Sequence, residues 1–393
     1  MDFSLFFFAD GGAAEDDGYG LLLESARFAD ANGFSAVWTP ERHFHSFGGL
    51  YPNPAVTGAA VAAVTERVGI RAGSVVAPLH HPVRIAEEWS VVDNLSRGRV
   101  GVSFASGWHA GDFVLRPENY RGRKSVTAEA VETVRRLWRG EEVEFPDGFG
   151  IKQSVRIFPA PVQPELPVWI TSVGSAETFR VAGRLGAGLL THLLGQDQDT
   201  LARNIASYRE ELSHAHNGKV PGHVALMLHT MIGTNRKRVR ELVRKPLSDY
   251  ISSSIDLVAR LLPPGFDTNQ MRDREKEFLV ALAFNRYFTT SGLFGTVQDG
   301  VEVVRRLQAI GVDEVACLID FGVPREEVLG SLHHLAELRR RTAQYHLAQV
   351  LRRGVARARN PAGTRLRAWD TGPSDANVSG SGSFPHFRWQ QTP

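Results

Sequence analysis

Apolar positions follow a regular rhythm along the chain as far as about residue 320. Short apolar runs predict buried strands, and longer segments with apolar residues at every third or fourth position predict amphipathic helices. Strands are predicted at residues 3–9, 35–39, 70–76, 99–104, 168–171, 188–191, 223–232 and 314–319. Helices are predicted at residues 19–32, 54–64, 82–95, 123–139, 175–185, 201–216, 236–262 and 299–310.

Strands that alternate with helices in this way favour βαβ units around a parallel sheet. Eight candidate strands and about as many helices make a (β/α)8 TIM barrel the leading architecture. A doubly wound sheet fits the same alternation, but it usually carries a glycine-rich phosphate fingerprint in its first strand-to-helix turn. Residues 11–14 (GGAA) are not that fingerprint.

The barrel is predicted to occupy residues 1–340, with insertions near residues 142–158 and 245–295. Residues 341–393 break the alternation. Arginine is dense up to residue 367, and a Gly/Ser run follows at residues 379–383. This composition predicts a tail that is largely disordered and solvated, in preference to a nucleic-acid contact.

Composition narrows the class of protein further. Apolar residues make up 42% and charged residues 22%, with a formal net charge of +2, as in a globular protein without a strong attraction to nucleic acid. Cys317 is the only cysteine, which excludes intramolecular disulfides and a cysteine metal cluster and favours a cytoplasmic location. Neither a signal peptide nor a stretch long enough to span a membrane is evident.

In a TIM barrel the active site forms where the strands end, so polar or unusual residues at those positions are candidates for chemistry. Several predicted strands carry such residues at or just after their ends, and the third strand carries two of them within it. They are Glu41, Arg42, His43, Gly73, Ser74, Ala105, Ser106, Trp108, His109, Gly174, Ser175, Ala176 and Thr191.

Two features of the sequence have more than one interpretation. Residues 174–176 open a helix, and their backbone amides suit a phosphate, although Ser175 is equally an ordinary helix N-cap. The histidine pairs 43/45, 80/81 and 333/334 raise the question of a metal. Because Glu41 is the only acid near them and no familiar ligand spacing is present, we predict no metal site.

Taken in order, five motifs resemble the bacterial luciferase-like monooxygenase superfamily. They are residues 36–44 (AVWTPERHF), 47–54 (FGGLYPNP), 81–88 (HPVRIAEE), 92–99 (VDNLSRGR) and 292–296 (GLFGT). Residues 104–109 (FASGWH), 189–195 (LLTHLLG) and 316–322 (ACLIDFG) are similar to its FMN-dependent, mupirocin-type branch found in natural-product biosynthesis. The resemblance covers about residues 1–340 and implies a TIM barrel.

The resemblance also implies a function. Members use reduced FMN, delivered by a separate flavin reductase, and dioxygen, which form a C4a-peroxyflavin that oxygenates the substrate. The expected substrate is a secondary-metabolite intermediate, either a free small molecule or one tethered to a carrier protein. A homodimer is expected as well. A deazaflavin-dependent oxidoreductase and a non-catalytic flavin-binding protein on the same barrel remain alternatives.

Roles for individual residues follow from the resemblance. Gly174, Ser175 and Ala176 are expected to hold the FMN phosphate, and Ala105 and Ser106 to line the isoalloxazine. Gly73–Ser74 occupies the position of an unusual peptide, often cis, against the flavin. Thr191 is a further cofactor candidate, and Trp108 and His109 are expected to reach from their loop toward flavin or substrate.

One departure from the family pattern concerns the residue after Glu41. Luciferase has a catalytic histidine there and this chain has Arg42, so light emission from an aldehyde is not expected. Arg42 suits an anionic oxygen or a carboxylate, and His43 suits proton exchange. The plainer alternatives are a packed loop histidine at His43 and a salt bridge from Glu41 to Arg42 or Arg84.

Overall fold

The computed structural model describes residues 1–8, 18–45, 49–253 and 272–358. Its strands are β1 (Asp2–Phe6), β2 (Ala36–Thr39), β3 (Gly69–Val76), β4 (Val100–Ala105), β5 (Val143–Pro146), β6 (Lys152–Val155), β7 (Val168–Ser172), β8 (Gly188–His192), β9 (Val224–Gly233), β10 (Leu293–Thr296) and β11 (Glu314–Leu318). The helices are α1 (Gly18–Ala31), α2 (Pro54–Val64), α3 (Pro82–Ser96), α4 (Arg123–Trp138), α5 (Ala176–Arg184), α6 (Gln198–Ala215), α7 (Arg236–Ser253), α8 (Asp273–Arg286), α9 (Val297–Ala309) and α10 (Arg325–Ala358).

Eight parallel strands close into a barrel in the order β1-β2-β3-β4-β7-β8-β9-β11, with β11 paired back to β1. These are the eight strands that the hydrophobic pattern predicts, so the expected TIM barrel is confirmed. Local signals explain much of the agreement. Asn53 caps α2 in front of Pro54, and Gly33 adopts a φ of 71° just after α1.

The two insertions have different structures. Near residues 142–158, strands β5 and β6 form an antiparallel hairpin. In the second insertion, β10 was not predicted, because a four-residue strand gives too short a pattern to separate from its surroundings. It pairs in parallel with the last four residues of β9, Thr230–Gly233. The predicted end of the helix near residue 262 lies outside the described residues.

A buried ionic cluster fills the barrel at the N-terminal ends of its strands. Glu314 is fully buried and accepts hydrogen bonds from Ser4 Oγ (2.5 Å), Trp38 Nε1 (3.0 Å) and Arg71 Nη1 (2.8 Å). The Arg71 guanidinium lies 4.9 Å from the ring centre of Trp38 and 4.6 Å from that of Trp169. The Arg71–Glu314 ion pair therefore joins β3 to β11 inside the barrel.

Residues Met1–Tyr345 form one compact unit and His346–Pro393 a second. In the second unit the structure describes only the end of α10, so the beginning of the predicted tail is helical as far as Ala358. The Gly/Ser-rich part of that tail lies outside the described residues. Of the helices described, none has both the length and the apolar character needed to cross a bilayer.

Candidate functional site

The carboxyl ends of the barrel strands surround a cavity of about 140 Å³. Seven residues predicted from sequence line it: Glu41, Arg42, Gly73, Ser74, Ala105, Trp108 and Thr191. Apolar side chains from β1, β8 and β9, among them Phe6, Leu190 and Met227, form much of the remaining wall. The fold therefore brings together residues that lie far apart in sequence, as the barrel topology requires.

Glu41 is the centre of a buried hydrogen-bond network. Its Oε1 lies 2.8 Å from His43 Nε2 and 2.5 Å from His80 Nε2, and its Oε2 accepts the backbone N–H of Val76 at 2.7 Å. The expected alternative, a salt bridge from Glu41 to Arg42 or Arg84, is wrong. The Glu41 carboxylate pairs instead with His43 and His80. Arg84 pairs instead with Glu88.

The network sets the charge of its members. Burial alone would raise the pKa of Glu41, but the hydrogen bonds from His43 and His80 outweigh it and hold that pKa below its ordinary value. Burial opposes protonation of His80, yet the carboxylate of Glu41 raises the pKa of His80 above its ordinary value. Glu41 is therefore an anion and His80 favours the cation, so the site holds a proton next to a buried carboxylate.

Arg42 follows directly and faces the cavity with only 5% of its surface exposed. Its backbone N–H is fixed by the Tyr51 carbonyl at 2.9 Å, and its guanidinium lies 5.0 Å from the ring centre of Trp108. Burial lowers the pKa of Arg42, and the negative charge of Asp112 acts in the opposite direction. Arginine stays cationic under such a shift, so the cavity contains a permanent positive charge.

The wall between β3, β4 and β7 combines a close backbone approach with a cluster of hydroxyls. The Gly73–Ser74 peptide is cis, and a Cβ at Gly73 would lie 2.6 Å from the Phe6 ring, so no larger residue fits. Ser74 Oγ hydrogen-bonds Thr171 Oγ1, which also lies 2.7 Å from Ser103 Oγ. Glycine is therefore required at position 73 by close packing against Phe6, and the three hydroxyls make this wall polar.

A second cavity of about 80 Å³ adjoins this wall, since Thr171 lines both cavities. Ser106 and Lys124 line it together with Thr178, which lies in the first turn of α5. Ser175 caps α5 by accepting the Thr178 N–H at 3.4 Å, and Gly174 before it has a φ of 106°. Hydroxyls, an ammonium group and a helix N-terminus are donors that suit a phosphate.

Five predicted residues are outside the lining of these two cavities. His43 lies beside the first one, bonded to Glu41, and His109 Nδ1 lies 3.0 Å from Asp112 Oδ1. Gly174, Ser175 and Ala176 form the entry to α5 without lining either cavity. Their assignment to a phosphate stays a prediction.

Several residues of the site were not selected from the sequence: His80, Asp112, Lys124 and Tyr250. His80 was weighed there only as one of a pair of possible metal ligands and as a loop histidine. Asp112 stands three positions after His109, a turn-like spacing that was available as a signal, whereas His80 and Tyr250 reach the site through the tertiary fold alone.

Glu41, His43 and His80 also form a group whose donor atoms all lie within 4.8 Å of one another. Two imidazoles and a carboxylate are a known metal-ligand set. Here the two Nε2 atoms are in hydrogen-bond contact with the same carboxylate oxygen. The prediction of no metal stays a prediction.

The chain is similar to known proteins over most of its length. A family model described as luciferase-like monooxygenase matches residues 1–318. The oxygenase component of the flavin-dependent trigonelline monooxygenase of Acinetobacter baylyi is 22% identical, over 81% of this chain and 88% of that protein.

Solved structures show the same fold. Monooxygenase RslO1 from Streptomyces bottropensis has a TM-score of 0.68 at 23% identity, covering 86% of this chain and 98% of that one. The oxygenating constituent of 3,6-diketocamphane monooxygenase from Pseudomonas putida, in complex with FMN, has a TM-score of 0.64 at 17% identity, covering 81% and 91%. An F420-dependent secondary alcohol dehydrogenase has a TM-score of 0.62 at 18% identity, covering 83% and 97%.

Proposed function

The chain belongs to the luciferase-like monooxygenase family, and from this membership we propose that it is the oxygenase component of a two-component FMN-dependent monooxygenase. Reduced FMN comes from a separate flavin reductase, and one atom of dioxygen enters an organic substrate. The observation that carries the proposal is the cavity at the strand ends, which combines apolar walls, a hydroxyl cluster and a buried carboxylate–histidine network.

The donor set around the two cavities fits a flavin mononucleotide. Lys124, Ser106 and the N-terminal turn of α5 would hold the phosphate, and Ala105 and Thr171 would lie along the ring system. Gly73 and Ser74 line the same cavity, so the ring system would lie beside their backbone. When bound, reduced FMN would supply the electrons that activate dioxygen.

The protein's own residues would control protons and water. Glu41 and His80 hold a proton within the site, and His43 contacts the same carboxylate oxygen, so a proton can be given or taken beside the cavity without bulk water. Arg42 and Trp108 cover one side of the cavity, which limits the access of water to the reacting atoms.

The substrate we propose is a secondary-metabolite intermediate, free or held on a carrier protein. Its support is the motif resemblance described above, and the largely apolar lining of the cavity agrees with an organic molecule. The reductase partner is supported by the name of the Acinetobacter relative, an oxygenase component. A homodimer is supported by the exposed apolar residues Val56 on α2 and Val91 and Leu95 on α3.

The proposal is tested by equilibrium titration of the protein with oxidised FMN, photoreduced FMN and reduced coenzyme F420. We expect the tightest binding for reduced FMN, because the site is built to act on the reduced cofactor. Reductase-fed turnover with isotope-labelled dioxygen should then place label in a product. Preferred binding of F420 with oxygen-independent turnover would instead identify a deazaflavin oxidoreductase. This alternative is considered because the F420-dependent secondary alcohol dehydrogenase has the same fold.

The phosphate position has its own test. Lys124→Gln should weaken FMN binding about tenfold and leave riboflavin binding unchanged, because one charge-assisted contact is lost only when a phosphate is present. Arg121→Gln removes a neighbouring exposed cation and serves as the matched control. Equal losses for FMN and riboflavin would show that Lys124 does not contact the phosphate.

A further inference from the structure

We propose that Arg42 is an anion-recognition residue and that the substrate of this site carries a carboxylate, which the Arg42 guanidinium binds. This inference rests on the proposed function in one respect: it assumes that the cavity beside Arg42 receives the substrate. It names the chemical class of that substrate, which the family alone does not decide.

The first observation is that the Arg42 side chain is buried without a hydrogen-bond or ion-pair partner among the described residues. Its side chain lines the cavity with 5% of the residue exposed, and its Nε has no hydrogen-bond partner. No carboxylate of the described residues lies within salt-bridge distance of its guanidinium. Burying a charged group whose N–H donors have no acceptor costs free energy. Such a group in a cavity therefore indicates a site where a ligand supplies the acceptor.

The second observation is that the nearby acids are already engaged. Both carboxylate oxygens of Glu41 accept hydrogen bonds, from His43, His80 and the Val76 N–H. Asp112 Oδ1 lies 3.0 Å from His109 Nδ1, and Asp112 acts on Arg42 only at longer range. The negative charge of Asp112 therefore stabilises the Arg42 cation at a distance. Among the described residues, no carboxylate forms two hydrogen bonds with the Arg42 guanidinium.

The third observation concerns geometry. The guanidinium lies 5.0 Å from the ring centre of Trp108, which holds it by a cation–π contact on one face. The in-plane N–H groups are the ones that recognise a ligand, and a planar carboxylate matches them through two parallel hydrogen bonds. A lysine at this position would lack that fork.

The phosphate of FMN is the competing anion. Ser106, Lys124 and Thr178 line the adjoining cavity, whereas Arg42 lines only the first one, together with Trp108 and Asp112. The two anions are therefore assigned to different places, and the experiment separates them.

The test measures binding without turnover, by isothermal titration calorimetry of the FMN-loaded protein with matched pairs of small probes: benzoate against benzamide, and hexanoate against hexanamide. We expect the carboxylate to bind at least about tenfold more tightly than its amide within a pair. Arg42→Gln should abolish the difference, and Arg42→Lys should retain part of it. Arg121→Gln, a change at an exposed arginine, should leave it intact.

Several results would overturn the inference. One is equal binding of carboxylate and amide by the unaltered protein, or no binding of either. Another is a carboxylate preference that survives in Arg42→Gln with an unchanged near-UV circular dichroism spectrum. A third is loss of the preference for FMN over riboflavin in Arg42→Gln, which would assign Arg42 to the cofactor phosphate. Because none of these measurements requires oxygenation, failure of the proposed monooxygenase activity leaves their result interpretable.

Discussion

At the scale of single residues, the site depends on one buried carboxylate with two histidines. Glu41 belongs to the loop after β2, and His80 belongs to the loop after β3, so their contact joins neighbouring strand ends. The carboxylate also holds the Val76 backbone in place at the end of β3. A change at Glu41 therefore alters both the charge of the site and the shape of its wall.

Glu41→Gln is expected to destabilise the protein by about 3 kcal/mol at pH 6, because a buried charge loses its partner. The pKa of Glu41 is lowered and that of His80 is raised, so their pairing is complete between the ordinary values of 4.5 and 6.5. It is lost as pH rises through the raised pKa of His80, and also as pH falls through the lowered pKa of Glu41.

Thermal unfolding at pH 6 and pH 9 measures this effect. The loss in melting temperature should be larger at pH 6, and Glu129→Gln, at an exposed position of α4, should cause little change at either pH. An equal loss at both pH values would show that the charge of His80 does not contribute.

At the scale of secondary-structure elements, β9 has two roles. Its first half closes the barrel between β8 and β11, and its last residues pair with β10. Between them stands His229, which packs against the rings of Tyr250, Tyr287 and Phe321 at centroid distances of 4.3, 5.6 and 5.4 Å. This histidine joins the strand to α7 and to the second insertion.

His229 is expected to make the protein sensitive to acid. Burial lowers its pKa from 6.5 to about 3, and its buried Nε2 has no hydrogen-bond partner. Below pH 6.5 the unfolded chain binds a proton on His229, whereas the buried imidazole of the folded chain stays neutral. The free energy of unfolding therefore falls as pH drops below 6.5, by about 2 kcal/mol at pH 5. His229→Leu should remove that part of the pH dependence.

Denaturant unfolding at several values from pH 7 to pH 4.5 checks the slope. His214→Gln, which removes an exposed histidine of α6, is the matched control and should keep the slope of the unaltered protein. A His229→Leu variant with the same slope as that protein would refute the assignment.

At the scale of the whole molecule, the barrel has different chemistry at its two ends. The carboxyl ends of the strands carry the site, and the N-terminal ends carry the Glu314–Arg71 ion pair, as expected for an end that serves stability. Burial alone would raise the pKa of Glu314, but Arg71 and His223 keep it below its ordinary value. Strands β1, β2, β3 and β11 all contribute to this cluster.

Glu314→Gln should destabilise the protein by about 3–5 kcal/mol, because it leaves the Arg71 charge buried without a counter-ion. The double variant Arg71→Met/Glu314→Gln should recover at least about 1 kcal/mol of that loss, since it removes both charges together. Urea unfolding of the two single variants and the double variant measures the coupling. A double variant that is less stable than Glu314→Gln would show that Arg71 contributes mainly through its contacts with Trp38 and Trp169.

Much of the site was visible in the sequence because barrel geometry is a rule about strand ends. Glu41, Arg42, Ala105, Trp108 and Thr191 follow or end predicted strands, Ser74 lies within the third, and each of the six lines the first cavity. The partners of these residues were not predictable in the same way. His80, Asp112 and Tyr250 approach the cavity from loops and from α7, where no periodic pattern fixes direction.

The sequence by itself determined the barrel and its eight strands, because the hydrophobic period of a segment is a local property that is visible without knowledge of the fold. It also determined the family, through several motifs in a fixed order along the chain. Only the tertiary structure decided that Glu41 pairs with His43 and His80 rather than with Arg42 or Arg84, and that β10 pairs with β9. It also decided that, among the described residues, no side chain pairs with Arg42 through a hydrogen bond or an ion pair. Such pairings depend on which loops lie close together in the folded protein, and the order of residues along the chain does not specify the distances between loops.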